Sequence, residues 1–152
     1  MNRLSLDFAL LVLRLAGLGL AIFHGWGKLA RLLGGDDRFA QGLAQMGIPL
    51  PVVFAWAAAL AETVGGTLVT LGLFTRVAAA LCGITMLVAA LVRHHALDLL
   101  FVKLGLMDVP PERLTAWGNP ELALCYLAVF LAVALAGPGA LSIDAMRGGR
   151  PR

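Results

Sequence analysis

Apolar residues fall into four long runs along this chain, and the polar positions gather in the gaps between them. The runs cover residues 6–26, 52–73, 76–95 and 119–136. At ~1.5 Å rise per residue, a helix of about 20 apolar residues crosses the ~30 Å hydrocarbon layer of a bilayer. The gaps have their own signals. Between the first two runs, Phe39, Leu43 and Met46 recur at i, i+4 and i+7, after Asp36 and Asp37 and before Gly47 and Pro49. That spacing predicts a short interfacial helix, lying on the membrane or folded over the mouth of the bundle. Gly72 to Arg76 is so short a link that the second and third runs must form an antiparallel hairpin. Asn119-Pro120-Glu121 is a strong start for the fourth, with a capping side chain, a proline at the first turn and an acid beside it.

These elements predict an all-α fold: one integral membrane domain over residues 1–152, a four-helix bundle with a short interfacial helix in its first loop. Composition agrees. The chain has 152 residues, 60% hydrophobic and 14% charged, against roughly 25% charged in soluble domains. The net charge of +3 comes from scattered basic residues, so nucleic acid is not an expected partner. Four spans put both termini on one side. Arg3, Arg76, Arg147, Arg150 and Arg152 crowd the short segments of that side, which predicts cytoplasmic termini and outward-facing 29–51 and 96–118 loops. Asp7 and Arg14 interrupt the first run, so it reads as a retained helix and not a cleaved signal. Cys82 and Cys125 fall near opposite leaflets, too far apart for a disulfide, and are expected as two free, buried thiols.

Two ionisable groups inside apolar runs are the candidate chemistry. Arg14 lies in the first run and Glu62 in the second. A charge at bilayer depth costs roughly 2.5 kcal/mol or more and seeks a partner inside the bundle. The depths suggest that Arg14 and Glu62 pair. Ala58, Ala59, Gly65 and Gly66 surround Glu62 on its helical face and leave room for a side chain or a ligand headgroup. His24 and Lys28 at the end of the first run, His94 with His95 at the end of the third, and Glu121 at the start of the fourth share one membrane boundary. They extend the candidate ligand site to Arg14, His24, Lys28, Glu62, His94 and Glu121. The alternative for each is bland: an internal lock, interfacial histidines, and an acid facing its helix dipole. No metal or haem signature is present. Thr63, Thr67 and Thr70 are expected to bond to backbone carbonyls or across helices.

Several segments together carry a family resemblance. They are Arg14 with its trailing glycines, His24-Gly25-Trp26-Gly27-Lys28, Met46-Gly47-Ile48-Pro49, Glu62 with Gly65-Gly66, Leu71 to Arg76, Gly137-Pro138-Gly139 and Leu141-Ser142-Ile143-Asp144. The pattern resembles the DoxX/DoxD-like family of small bacterial integral membrane proteins over nearly the whole chain. The resemblance implies a four-helix membrane bundle in the bacterial cytoplasmic (inner) membrane. It also implies a link to quinone-coupled redox metabolism, with quinone as the cofactor and a soluble or membrane redox protein as partner. Membrane lipids and further copies of the chain are other expected partners. Two alternatives stand beside a quinone-binding subunit: a non-enzymatic membrane anchor or assembly partner, and a small lipid or solute carrier.

Overall fold

The computed structural model describes residues 3–148, so Arg150 and Arg152 of the basic tail lie outside the described residues. Every regular element among the described residues is helical. Helix α1 runs Arg3–Leu33, α3 Pro51–Leu71 and α4 Thr75–Arg93, each long and apolar enough to cross a membrane. The fourth candidate span, Pro111–Ala136, is made of α6 (Pro111–Trp117) and α7 (Glu121–Ala136). Three shorter helices lie outside the spans: α2 (Arg38–Gln45), α5 (Ala96–Lys103) and α8 (Ile143–Gly148). The four-helix bundle with a short helix in its first loop is the architecture expected from the runs.

Small residues set the helix crossings. A Cβ on Gly66 would come 2.6 Å from the Gly17 carbonyl oxygen, and one on Gly25 would come 2.6 Å from the Thr63 nitrogen. So α1 and α3 touch backbone to backbone, which dispersion favours in lipid, where burial gives no hydrophobic gain between helices. On the other side, α4 packs on α7 around Ala79, Cys82, Phe130 and Val133, all fully buried. The outer surface is apolar, with Phe23, Val77 and Leu135 among the most exposed side chains, as a lipid-facing surface requires.

Helix α2 is folded over the bundle mouth. Its Ala40 and Leu43 are buried with Leu32, Ala55 and Ala59. Asp36 anchors its start: the carboxylate accepts from the Arg38 backbone N–H at 3.0 Å and from the guanidinium at 2.6 to 3.0 Å. Hydrogen bonding from the Arg38 side chain holds the Asp36 carboxyl down at about 2. At the opposite end the two terminal regions meet, where Ala140 N donates to Asp7 Oδ1 at 2.8 Å.

Candidate functional site

Helix α1 does not stop at Trp26 as its polar cluster suggested. It continues to Leu33, because glycine alone does not break a membrane helix and no proline intervenes before Gly34-Gly35. Lys28 is therefore still helical. Arg14, Gly17, Ala21, Gly25 and Lys28 follow one another at intervals of three and four, so they share the face that α1 turns to α3. Arg14 and Lys28 stand at the two ends of that face, roughly 21 Å apart along the axis.

The antiparallel register decides which of them meets Glu62. Gly25 lies against Glu62 and Thr63, Gly17 against Gly66, and the Arg14 carbonyl oxygen within 3.4 Å of Thr70 Oγ1. Glu62 is thus level with the Lys28 end and about 12 Å from the level of Arg14. Lys28 Nζ donates to both Glu62 oxygens, at 2.6 and 2.7 Å. The expected Arg14–Glu62 pair is replaced by Lys28–Glu62; counting depth from the run ends placed Arg14 too close to the middle. Glu62 is 2% exposed while the Lys28 side chain is 32% exposed. The ammonium also lies 5.1 Å over the Phe39 ring from α2, a cation–π contact.

Two π turns lie at this contact: Ala61–Gly65 of α3, which carries Glu62, and Ala21–Gly25 of α1, a turn that ends three residues before Lys28. A π turn inserts a residue, rotates the rest of the helix beyond it, and frees backbone groups; such turns concentrate at functional sites. The Cys82 thiol donates to the Ala61 carbonyl of the α3 turn at 3.2 Å. Thr67 and Thr70 donate to the Thr63 and Gly66 carbonyls at 2.7 and 2.9 Å, in line with expectation. The buried Thr63 Oγ1, next to Glu62, has no hydrogen-bond partner among the described residues.

The other candidates are dispersed. His24 packs edge-on against Tyr126 of α7, ring centroids 5.9 Å apart. His94 Nδ1 lies 2.8 Å from the Trp117 carbonyl oxygen, and His95 stacks on the Trp117 ring while its Nδ1 lies 2.9 Å from Asp98. His94 and His95 fasten the 96–118 segment. Glu121 starts α7, its N–H donating to Asn119 Oδ1 at 2.9 Å. Of the thiols, Cys82 is buried, but Cys125 is exposed; α7 is apolar on all sides, so its sequence did not reveal which face turns outward.

Arg14 belongs to a second buried site, at the end of the bundle where the terminal regions meet. It is fully buried and donates through Nη2 to the Leu141 carbonyl, while Nε and Nη1 have no partner among the described residues. Leu141 begins a strap that crosses the α3–α4 turn. Within it Asp144 N donates to the Gly72 carbonyl at 2.8 Å. The Asp144 carboxylate accepts from Phe74 N and Thr75 N, each at 2.9 Å, and from Thr75 Oγ1 at 2.8 Å. That caps the start of α4 from outside the helix. Gly72, at φ 70°, has room only because it lacks a Cβ: one there would come 2.5 Å from Ser142 Cβ. Partial burial pushes the Asp144 carboxyl up, but the bonds from Thr75 and Phe74, with Arg147 nearby, outweigh it and hold it below the ordinary carboxylate range. Sequence reasoning missed the role of Asp144; its only signal there is a place in the family-like ending.

Comparison with known proteins adds a family frame. The model of the DoxX family matches residues 9–95. The chain is 33% identical over 135 residues to the Inner membrane protein YphA of Escherichia coli (strain K12), covering 89% of this chain and 87% of that protein. No solved structure matches.

Proposed function

The chain belongs to the DoxX family, and from that premise we propose that it is a small bacterial inner-membrane protein serving a quinone-linked redox system, with the Lys28–Glu62 pair as its headgroup site. The two termini would face the cytoplasm, which places this pair toward the outer boundary. One observation carries the reading: a buried carboxylate on a π turn joined to a partly exposed ammonium, beside a buried hydroxyl with no partner among the described residues. An ammonium has three donors; Glu62 takes two and one is left for a carbonyl oxygen. Lys28 is partly exposed, so it links the buried Glu62 carboxylate to the surface. Quinone reduction consumes two electrons and two protons; the electrons would come from a redox protein partner, and this chain would hold the ring and supply a proton path.

A second reading is favoured by the near-complete burial of Glu62 and the engagement of both its oxygens: the pair locks α1 to α3 and the protein is a non-enzymatic membrane anchor. Native mass spectrometry of protein taken directly from its own membranes, with extraction and chromatography of bound quinone, separates the two. The headgroup reading expects near-stoichiometric quinone, lost about tenfold in folded Lys28→Met or Glu62→Gln protein. Absence of quinone from the unaltered protein, or full retention in folded Glu62→Gln, would leave the lock.

A further inference from the structure

A groove between α5 and the start of α7 holds two charges that the Lys28–Glu62 site does not use. Its volume is about 760 Å³, and Leu97 and Leu100 of α5 face Leu124 and Ala128 of α7 across it. Lys103 and Glu121 line the same groove. Neither makes an ion pair among the described residues. The Glu121 carboxylate accepts one side-chain hydrogen bond, from Asn119 Nδ2 at 3.2 Å, so most of its acceptor sites remain open. Two opposite charges at the rim of an apolar groove attract strongly at low dielectric. Here they stay apart, and the groove is left with a positive and a negative pole above a hydrocarbon wall. The natural complement is a zwitterion with an apolar tail.

We propose that this groove binds an aminophospholipid, with its phosphate on Lys103, its primary ammonium on Glu121 and one acyl chain along Leu97, Leu100, Leu124 and Ala128. A lipid fits better than a protein partner because the apolar wall continues into the exposed face of α7 at Leu122 and Leu131, which faces hydrocarbon in any case. The primary amine matters. An ammonium donates to a carboxylate, and such charge-assisted bonds are short and strong; a quaternary choline has no N–H to give. A purely anionic headgroup would satisfy Lys103 and repel Glu121.

The test uses the full chain in detergent, with equimolar phosphatidylethanolamine, phosphatidylcholine and phosphatidylglycerol added and bound lipid read by native mass spectrometry. Phosphatidylethanolamine should be retained about fivefold over either competitor, the ratio expected from one good hydrogen bond. Glu121→Gln should abolish its advantage over phosphatidylcholine, and Lys103→Glu should lower retention of all three. Equal retention of the three lipids by the unaltered protein would overturn the proposal. So would an undiminished ethanolamine preference in Glu121→Gln. Both side chains are exposed, and if either variant failed to fold, the preference of the unaltered protein would still decide the matter.

Discussion

At one end of the bundle, Glu62 receives a lysine ammonium on both oxygens. At the other, Arg14 reaches a backbone carbonyl, and its Nε and Nη1 have no partner among the described residues. The two sites lie on the same face of α1, against the same helix. In the first, a charge is answered by a charge across two spans, so each side chain's cost depends on the other. In the second, a charge is answered by dipoles of the C-terminal strap, with Asp144 acting on it from outside hydrogen-bond range. A buried charge in a bundle therefore need not signal a buried pair. What it signals is a demand for polar groups, and the nearest backbone can meet it.

The largest expected effect separates the ends most cleanly. Lys28→Met leaves Glu62 in place, 2% exposed and without its cation. Breaking a buried pair from one side costs about 3–5 kcal/mol, which should appear as a large loss of thermal stability in detergent. Glu62→Leu should cost less, because the partly exposed Lys28 can swing its ammonium to the headgroups. Equal losses in the two variants would mean that Lys28 is as trapped as Glu62.

The next effect belongs to the strap. Arg14→Met removes a guanidinium that is only partly satisfied, so its cost should be smaller, about 1–3 kcal/mol, and local. A cysteine placed at Leu141 should then react faster with a membrane-impermeant thiol reagent, while the Lys28–Glu62 end stays unchanged. Loss of order throughout the bundle would make Arg14 a general lock.

Asp144→Asn should cost about 1–2 kcal/mol through the weakened cap on α4. The depressed carboxyl sets the pH dependence. Asp144 contributes its stability above the unfolded value of roughly 3.9, and loses it as pH falls through its lower folded value. The protection of Phe74 and Thr75 amides against hydrogen exchange, taken relative to the intrinsic rate at each pH, should therefore stay high near neutrality and fall in acid below that range. Loss of protection already between about pH 5 and 7 would point to another group.

The smallest effect is at one of two glycines, and the other is its contrast. Gly25→Ala forces a methyl against Thr63 and should cost about 1–3 kcal/mol by overpacking. Gly27→Ala meets nothing within 4 Å and should change stability by less than about 0.5 kcal/mol, as substitutions away from contacts do. A similar cost for both would place the α1–α3 contact on a different face.

The fold was legible because the bilayer dictates it: span length and apolar content are set by hydrocarbon thickness, and Gly34-Gly35, Gly72 and Asn119-Pro120 mark the gaps. The short helix over the mouth was legible from Phe39, Leu43 and Met46, although the residues that anchor it are Ala40 and Leu43. The partner of Glu62 was not legible. It depends on how α1 slides along α3, which Gly17, Gly25 and Gly66 fix by close approach, and on two π turns that leave no mark in the hydrophobic period. Lys28 was visible as a candidate, but the polar and aromatic cluster around it suggested that the span had already ended. Arg14's partner is a carbonyl, and a sequence does not announce which carbonyl will be free.

A double-mutant cycle in thermal stability tests the central claim most directly, run once on Lys28 and Glu62 and once on Arg14 and Glu62. Residues in one ion pair show coupling of about 0.5–3 kcal/mol, whereas separated residues add to within about 0.5 kcal/mol. The structure predicts coupling near the top of that range for Lys28→Met with Glu62→Leu, the double variant regaining much of what Lys28→Met loses. It predicts additivity for Arg14→Met with Glu62→Leu. Strong coupling in the Arg14 cycle and additivity in the Lys28 cycle would contradict the account.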